Sequence, residues 1–231
     1  MKLILTGATG FIGGEILTQC LNNPSITSLI ILSRRPIDSL SSNAKAKVII
    51  MEDFKSYPKP VIQEISDADA CIWAMGTYDG NHQVEVEFPT AFAKAMLHER
   101  KAGKFRYVHL GGAFTVEDQD KTLYFMPAAR RGRGLGEFTM RHFAKENGCE
   151  ERWETIVMRP SGVLKKDRFR FLNLTIADTI GLYHSDGIDC GYCLGSDECA
   201  ASMIDVALNG STEEVWQNSE MVAKGRILLE Q

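Results

Sequence analysis

Three glycines near the N-terminus have the spacing of a phosphate-binding turn. Gly7, Gly10 and Gly13 follow an apolar run, Leu3-Ile4-Leu5, and overlap a helical pattern that begins at Phe11. Glycine permits the tight strand-to-helix turn, lets backbone approach a pyrophosphate and lets the helix pack closely on the sheet. Phosphate oxygens accept hydrogen bonds from free N–H groups at a helix N-terminus, where the dipole also favours negative charge. The segment therefore predicts a nucleotide site whose pyrophosphate contacts are Gly7, Thr9, Gly10, Phe11 and Ile12.

Two arginines after the second predicted strand indicate which dinucleotide would bind. An NAD-selective site has an acidic residue at the end of this strand, where it accepts hydrogen bonds from ribose hydroxyls. Here Leu29–Leu32 is followed by Ser33, Arg34 and Arg35. Guanidinium groups stay charged and offer several donors to phosphate oxygens, so Arg34 and Arg35 favour a 2′-phosphate and NADP(H) over NAD(H). The alternatives are that both arginines are solvated loop charges, and that Asp53 is a turn residue rather than an acceptor for the adenine amino group.

Strand-like runs alternate with amphipathic helical segments, and this order must position the site. The runs are mostly continuous in apolar character, which is typical of strands covered on both faces. Helical patterns lie between several of them, including one that begins at Phe11 and one from Phe88 to Met96, so we expect a parallel, doubly wound α/β sheet. The predicted strands are Lys2–Leu5, Leu29–Leu32, Val48–Met51, Ala70–Trp73, Tyr107–Leu110 and Thr155–Met158.

Two more helices are predicted in the second half of the chain. One runs from about Leu135 to Glu146 with Leu135, Phe138 and Phe143 facing inward. It stops at Asn147-Gly148, which is a suitable C-terminal cap. The other covers about Glu198 to Leu208.

Composition and charge exclude several classes of partner. The 231 residues are 44% hydrophobic and 24% charged, which suits one α/β domain with a full core. The net charge of −4 lacks the basic excess of a nucleic-acid or anionic-membrane surface, and no apolar stretch has the length of a membrane span or the pattern of a signal peptide. Six cysteines spread along the chain indicate reduced thiols. We therefore expect one soluble, cytoplasmic domain over 1–231 that takes a small-molecule substrate and binds neither nucleic acid nor membrane.

Four passages resemble the atypical short-chain dehydrogenase/reductase family, particularly its NmrA-like and NAD(P)H-binding branches. They are Thr6–Gly13, Ser33-Arg34-Arg35, Trp73-Ala74-Met75-Gly76-Thr77 and Met158-Arg159-Pro160-Ser161-Gly162. The resemblance implies a Rossmann-type doubly wound parallel sheet with its core over about 1–160, an NADP(H) cofactor, and a small C-terminal part, 161–231, that supplies the substrate side and a closing helix. The implied cofactor contacts also include Ala74, Met75 and Gly76, and Arg159 and Pro160 on the nicotinamide side.

The catalytic residues that the resemblance implies are absent. Active members of the family use a Ser or Thr after strand five and a Tyr-x-x-x-Lys on the next helix, with the tyrosine as acid/base and the lysine lowering its pKa. In this chain Gly111 and Gly112 stand in place of the hydroxyl, and no Tyr-x-x-x-Lys occurs anywhere. The remaining candidate proton donors are Tyr124, Tyr78, His184 and His82, with Arg130, Arg131 or Arg133 as candidate cations beside a developing oxyanion.

Three functions remain open on this evidence. We favour an NADPH-dependent oxidoreductase that acts on a small carbonyl or aromatic metabolite without the usual triad. The second is a non-catalytic NADP(H) sensor that reports redox state to a regulatory protein partner, as the NmrA-like resemblance implies. The third is a redox-neutral isomerase or lyase that uses the Rossmann pocket for a small molecule, because one scaffold can host unrelated chemistry.

The remaining cysteines and histidines are given structural roles. Cys190 and Cys193 form a Cys-x-x-Cys that, with Cys199 and His184, could make a zinc or dithiol site, but the spacings are irregular. We expect these cysteines to fill small apolar spaces and expect no metal. His109 lies in a buried strand pattern and is expected to be a hydrogen-bonded core residue.

Overall fold

The computed structural model describes residues 1–100, 103–165 and 193–230. Within this part of the chain, a parallel seven-stranded sheet forms the central layer and helices cover both faces. The strands are β1 (Lys2–Thr6), β2 (Ser28–Ser33), β3 (Ala46–Ile50), β4 (Ala70–Trp73), β5 (Phe105–Leu110), β6 (Trp153–Arg159), β7 (Gly162–Leu164), β8 (Cys193–Gly195) and β9 (Val215–Gln217). The helices are α1 (Phe11–Asn22), α2 (Lys59–Ile65), α3 (Phe88–Glu99), α4 (Pro127–Glu146), α5 (Ser196–Asn209) and α6 (Asn218–Leu229), with a short 3₁₀ turn at Asp38–Leu40 and a π-helical turn at Gln83–Glu87.

The order of the strands places a ligand-binding edge beside the first strand. The sheet runs β3-β2-β1-β4-β5-β6-β9, and β7 pairs with β8 in a separate two-stranded sheet. The chain winds outward from β1 in one direction through β2 and β3, and in the other through β4, β5 and β6. In such sheets ligands bind outside the carboxyl ends of the strands where the winding reverses, here between β1 and β4. The predicted doubly wound, Rossmann-type parallel sheet is confirmed, and each of the six predicted strands forms.

The continuous apolar runs form strands buried on both faces. In β1, Leu3 and Leu5 face a layer that contains α1, α5 and α6, whereas Ile4 faces a layer that contains α2, α3 and α4. Aromatic side chains dominate the second layer, where Trp73 and Phe92 have ring centroids 5.5 Å apart. Both core layers therefore hold the strand ends at fixed positions at the edge of the sheet.

Helix α4 begins at Pro127, so the prediction of a start near Leu135 is wrong. Its first half contains arginines and glycines without an apolar period, and this hid the helix. A Cβ atom at Gly134 would overlap the carbonyl oxygen of Val116, and one at Gly136 would overlap that of Glu85. These glycines are retained in a helix because they let neighbouring backbone approach closely.

One predicted helix end and one predicted helix are confirmed, whereas one side chain predicted to face inward does not. The backbone N–H of Cys149 donates to the Ala144 carbonyl at 2.9 Å, and Gly148 has a positive φ of 58°, so the Asn147-Gly148 cap forms as predicted. Helix α5 covers the predicted span from Glu198 to Leu208. Phe143 is buried as expected, but Phe138 is 39% exposed and stacks on His142 instead.

Among the residues that the structure describes, no helix combines the length and the apolar character needed to cross a bilayer. Cys20 and Cys71 are fully buried. Burial raises the pKa of the Cys20 thiol to about 12, with Lys45 acting weakly in the opposite direction. These thiols are core side chains.

Candidate functional site

The glycine turn joins β1 to α1 and admits no side chain at two of its positions. Gly7 has a φ of 71°, and a Cβ atom there would overlap the Ala74 carbonyl at the end of β4. A Cβ atom at Gly13 would overlap the Gly7 carbonyl. Gly10 is the N-cap of α1 and has no side chain, so no side-chain acceptor caps the N–H groups of the first helical turn. The turn thus has the two properties that a pyrophosphate cradle needs, close backbone approach and free donors.

A cleft of about 320 Å³ lies at the carboxyl edge of the sheet. It brings together the glycine turn, the segment after β4 and the segments after β5 and β6, which are far apart in the sequence. Its walls include the predicted contacts Gly10, Phe11, Ile12, Ala74, Met75, Gly76 and Pro160, and in addition Tyr78, Leu110, Gly111, Gly112, Arg133, Ser161 and Val163.

Arg34 and Arg35 lie beside the same turn. They line a small depression of about 70 Å³ with Gly7, Ala8, Thr9, Phe54 and Met75. Both side chains are exposed, and neither makes a hydrogen bond or ion pair with the residues that the structure describes. Two unpaired guanidinium groups next to the glycine turn suit a phosphate substituent.

Asp53 has a local role in the structure. Its Oδ1 accepts the backbone N–H of Lys55 at 2.9 Å, which is the turn geometry that the sequence allowed as an alternative. Asp53 does not line the depression that holds Arg34 and Arg35. Its contact with adenine stays a prediction.

A second, mainly apolar cleft of about 140 Å³ adjoins the first. The two clefts share Tyr78, Gly112, Arg133, Pro160 and Ser161. The apolar part of the second cleft is formed by Ala113, Phe114, Phe125, Met126 and Ala129. A small molecule could therefore lie in the second cleft with one end at the junction.

Arg133 of α4 stands at this junction. Its Nε donates to the Thr77 carbonyl at 3.1 Å and lies 3.9 Å from Oε1 of Glu85. The guanidinium carbon is 5.7 Å from the centre of the Tyr78 ring, a cation–π distance. The Thr77 carbonyl, the Glu85 carboxylate and the Tyr78 ring thus fix the position of the Arg133 side chain.

Glu85 is a buried acid that sequence analysis missed. It is 3% exposed, and its Oε1 accepts the Thr77 N–H at 2.5 Å and the Thr77 hydroxyl at 2.9 Å. Burial raises the pKa of Glu85, while the Thr77 hydrogen bonds and the Arg133 charge oppose that shift. Glu85 lies in a π-helical turn, whose register no apolar period reveals.

His109 lies under the cleft as a hydrogen-bonded core residue, as predicted. Its Nδ1 is 3.3 Å from the Tyr107 hydroxyl, and it is 3% exposed. Burial, aided by the positive charge of Arg133, lowers the pKa of His109 to about 4. At neutral pH it is therefore uncharged.

Arg159 forms an ion pair with a second buried acid, Glu137. The Arg159 Nε donates to both Glu137 oxygens, at 2.9 and 3.0 Å, and Nη2 reaches Glu117 at 3.1 Å. The hydrogen bonds that Arg159 donates to Glu137 raise the pKa of Arg159. Arg159 lines neither cleft, whereas Pro160 lines both, so a cofactor contact of Arg159 stays a prediction. Glu137 precedes the buried Met140 by one helical turn, and this spacing was a signal of its burial.

The structure separates the candidate proton donors. Tyr78 lines both clefts, although it is 84% exposed. Tyr124 is 97% exposed and lines neither. His82 lies 3.5 Å from Glu87 and also lines neither cleft. His184 and Cys190 lie outside the described residues, within which no group of three His, Cys, Asp or Glu side chains is placed to hold a metal ion.

Comparison with known proteins finds partial sequence relatives. No family model matches the chain. The leucinostatins biosynthesis cluster protein T of Purpureocillium lilacinum is 31% identical over 121 residues, which are 48% of this chain and 44% of that protein. The chain spans less than half the length of the curated relatives it matches.

Solved structures share the fold over nearly the whole chain. The yeast methylglyoxal/isovaleraldehyde reductase Gre2, complexed with NADPH, has a TM-score of 0.68 at 14% identity and covers 94% of this chain and 76% of its own. The PhqB reductase domain of Penicillium fellutanum has a TM-score of 0.65 at 18% identity, over 93% and 65% of the two chains. A dTDP-glucose 4,6-dehydratase of Streptomyces venezuelae with NAD bound has a TM-score of 0.64 at 15% identity, over 100% and 80%. At these identities the likeness shows the fold alone.

Proposed function

We propose that this chain binds NADP(H) and is an oxidoreductase of the atypical short-chain dehydrogenase/reductase type that acts on a small carbonyl or aromatic metabolite. The observation that carries the proposal is the convergence of the glycine turn, Arg34 with Arg35, and the Ala74–Gly76 segment at one edge of the sheet. Structures of the same fold with NADPH or NAD bound support a nicotinamide dinucleotide. The two arginines favour the phosphorylated form.

The chain's own residues fit such a dinucleotide. The free N–H groups at the start of α1 would bind the pyrophosphate, because Gly7 and Gly13 keep side chains out of the turn. Arg34 and Arg35 would bind the 2′-phosphate. When bound, NADPH supplies a hydride to an electrophilic carbon.

The junction of the two clefts is where the substrate would react. Arg133 is held there by Thr77 and Glu85 and would stabilise negative charge on the substrate. Tyr78 lines both clefts, and its hydroxyl is the proton donor that we propose. His109 is neutral and buried, so it contributes no proton at neutral pH. Tyr124 and His184 remain predictions.

Calorimetric titration with NADPH, NADP⁺, NADH and NAD⁺ at one ionic strength tests the proposal. We expect the phosphorylated pair to bind at least about ten-fold more tightly, since a hydrogen bond to a charged group contributes about 1.5–3 kcal/mol. The double substitution Arg34→Glu with Arg35→Glu should abolish this preference, whereas Lys94→Glu, at an exposed helical position of α3, should preserve it. Failure of the wild-type chain to bind any of the four would contradict the proposal and leave redox-neutral chemistry in the pocket.

A sensor is the second candidate function, and one observation favours it. Within the described residues, the tyrosine that borders both clefts is largely exposed to solvent, and its contact with Arg133 is made by the ring and not by the hydroxyl. Such a hydroxyl is poorly placed for general acid catalysis. Tight NADPH binding without NADPH oxidation across a panel of carbonyl compounds, together with a protein partner that distinguishes NADP⁺ from NADPH, would favour the sensor.

A further inference from the structure

We propose that the second cleft selects a small carbonyl compound with an apolar, ring-sized body and a carboxylate, and that Arg133 binds the carboxylate. This inference rests on the proposed function, because it names the substrate class of the same site. The carboxylate would lie at the junction of the clefts and the apolar body among Ala113, Phe114, Phe125, Met126 and Ala129.

The first argument is that Arg133 has two unused amino groups. Its Nε is committed to the Thr77 carbonyl, but Nη1 and Nη2 make no hydrogen bond to any residue that the structure describes. A Cβ atom at Gly112 would lie 3.6 Å from Nη1, and one at Gly76 would lie 3.6 Å from Nη2. Both glycines line the cleft, so the absence of side chains there leaves the amino groups open to a ligand. A guanidinium with two free amino groups matches the paired oxygens of a carboxylate.

The second argument concerns the neighbouring charges. Glu85 faces the Nε end of Arg133, and its Oε1 already accepts two hydrogen bonds from Thr77. Arg130, which also lines the second cleft, donates to the Phe114 carbonyl at 2.8 Å and the Phe125 carbonyl at 3.4 Å. Arg130 therefore braces the rim through Nε and Nη1, whereas both amino groups of Arg133 remain unbonded within the described part of the chain.

The third argument is the size and character of the apolar part. A cavity of about 140 Å³ is close to the roughly 150 Å³ cavity that takes a benzene molecule in a protein core. Phe114 is 59% exposed and Phe125 is 65% exposed, so a bound ring would remove apolar surface from water. A ligand with a ring and a carboxylate would place the ring against the apolar side chains of the second cleft and the carboxylate at Arg133.

Three matched compounds separate the two halves of the inference. Benzoylformate has a phenyl ring and a carboxylate, 1-phenylpropane-1,2-dione replaces the carboxylate by a neutral acetyl group, and pyruvate lacks the ring. Each is titrated calorimetrically into the full chain, with and without saturating NADP⁺, so that binding is measured without turnover. We expect benzoylformate to bind at least about ten-fold more tightly than either of the others, because it alone uses both the guanidinium and the ring pocket. Equal affinity for benzoylformate and the neutral dione would overturn the inference.

Substitutions then assign the effect to residues. Arg133→Gln should remove the preference for benzoylformate over the dione, while Arg131→Gln, on the same helix but outside both clefts, should keep it. Unchanged benzoylformate affinity in the Arg133→Gln variant would contradict the proposal. So would a specific loss of NADP⁺ binding in that variant, because Arg133 would then serve the dinucleotide.

A further variant guards against misfolding. Phe125→Ala removes an exposed side chain and should weaken both ring compounds without affecting pyruvate; equal weakening of all three would count against the ring pocket. If the wild-type chain binds no dinucleotide, the proposed function fails by itself. The titrations without NADP⁺ still decide whether Arg133 binds the carboxylate.

Discussion

At the scale of single residues, burial under the cleft keeps the imidazole of His109 uncharged at neutral pH. Its imidazole is buried beside Tyr107 and near Arg133, and its pKa is lowered from 6.5 to about 4. At pH values between about 4 and 6.5, His109 is protonated in the unfolded chain but not in the folded chain. Folding stability from this residue is therefore present at neutral pH and is lost as the pH falls from about 6.5 towards 4.

We predict that replacing this histidine flattens the acid side of the stability profile. His109→Asn should lose less free energy of unfolding than the wild type between pH 7 and pH 4, by up to about 3 kcal/mol, because one pKa unit corresponds to 1.36 kcal/mol. Denaturant unfolding at both pH values measures the difference. His98→Asn, at a largely exposed histidine, is the control and should follow the wild type. Parallel profiles for His109→Asn and the wild type would refute the assignment.

At the scale of elements, the glycines set how closely loops and helices meet. Gly132, Gly134 and Gly136 of α4 lie against the backbone of Gly80, Val116 and Glu85, respectively. Helix α4 thereby contacts the loops after β4 and β5 and the π-helical turn, and these contacts carry Arg133 to the junction of the clefts. In α1, the absence of a side chain at Gly13 likewise lets the helix lie against the Gly7 backbone of the glycine turn.

Two adjacent glycines of α1 should respond in opposite directions to the same substitution. A Cβ atom at Gly13 would overlap the Gly7 backbone, so Gly13→Ala should lower the free energy of unfolding by about 3 kcal/mol and weaken dinucleotide binding. A Cβ atom at Gly14 has its nearest neighbour, the Ala8 carbonyl, at 3.6 Å. Gly14→Ala should therefore stabilise the helix by about 0.5–1 kcal/mol. Thermal and denaturant unfolding test the pair, and equal effects at both positions would contradict this account of the turn.

At the scale of the whole molecule, the site depends on the most buried strands. β4 is buried at all four positions and β1 at four of five, whereas β3, at one edge of the sheet, is partly exposed along its length. The glycine turn and the Ala74–Gly76 segment follow directly from β1 and β4. The proposed dinucleotide site is therefore attached to the part of the sheet that we expect to open only with global unfolding.

Hydrogen exchange should reproduce this gradient. After correction for intrinsic rates, we expect the hydrogen-bonded amides of β1 and β4 to exchange at least about ten-fold more slowly than those of β3. Exchange followed by NMR at one pH and temperature provides the measurement. Equal protection in β3 and β1 would show that the sheet opens as one unit from edge to centre.

The sequence by itself determined the parallel sheet, the glycine turn after β1 and the position of Arg34 and Arg35 beside it. A local sequence pattern predicts each of them: continuous apolar runs, glycine spacing, and charges directly after a strand. Tertiary structure alone decided the start of α4, the burial of Glu85, and the position of Arg133 at the junction of the clefts. These depend on backbone contacts between residues distant in the sequence, such as Gly134 with Val116 and Gly136 with Glu85. The first half of α4 is rich in glycine and arginine and has no apolar period to reveal it, and only the close approach of its neighbours explains its composition.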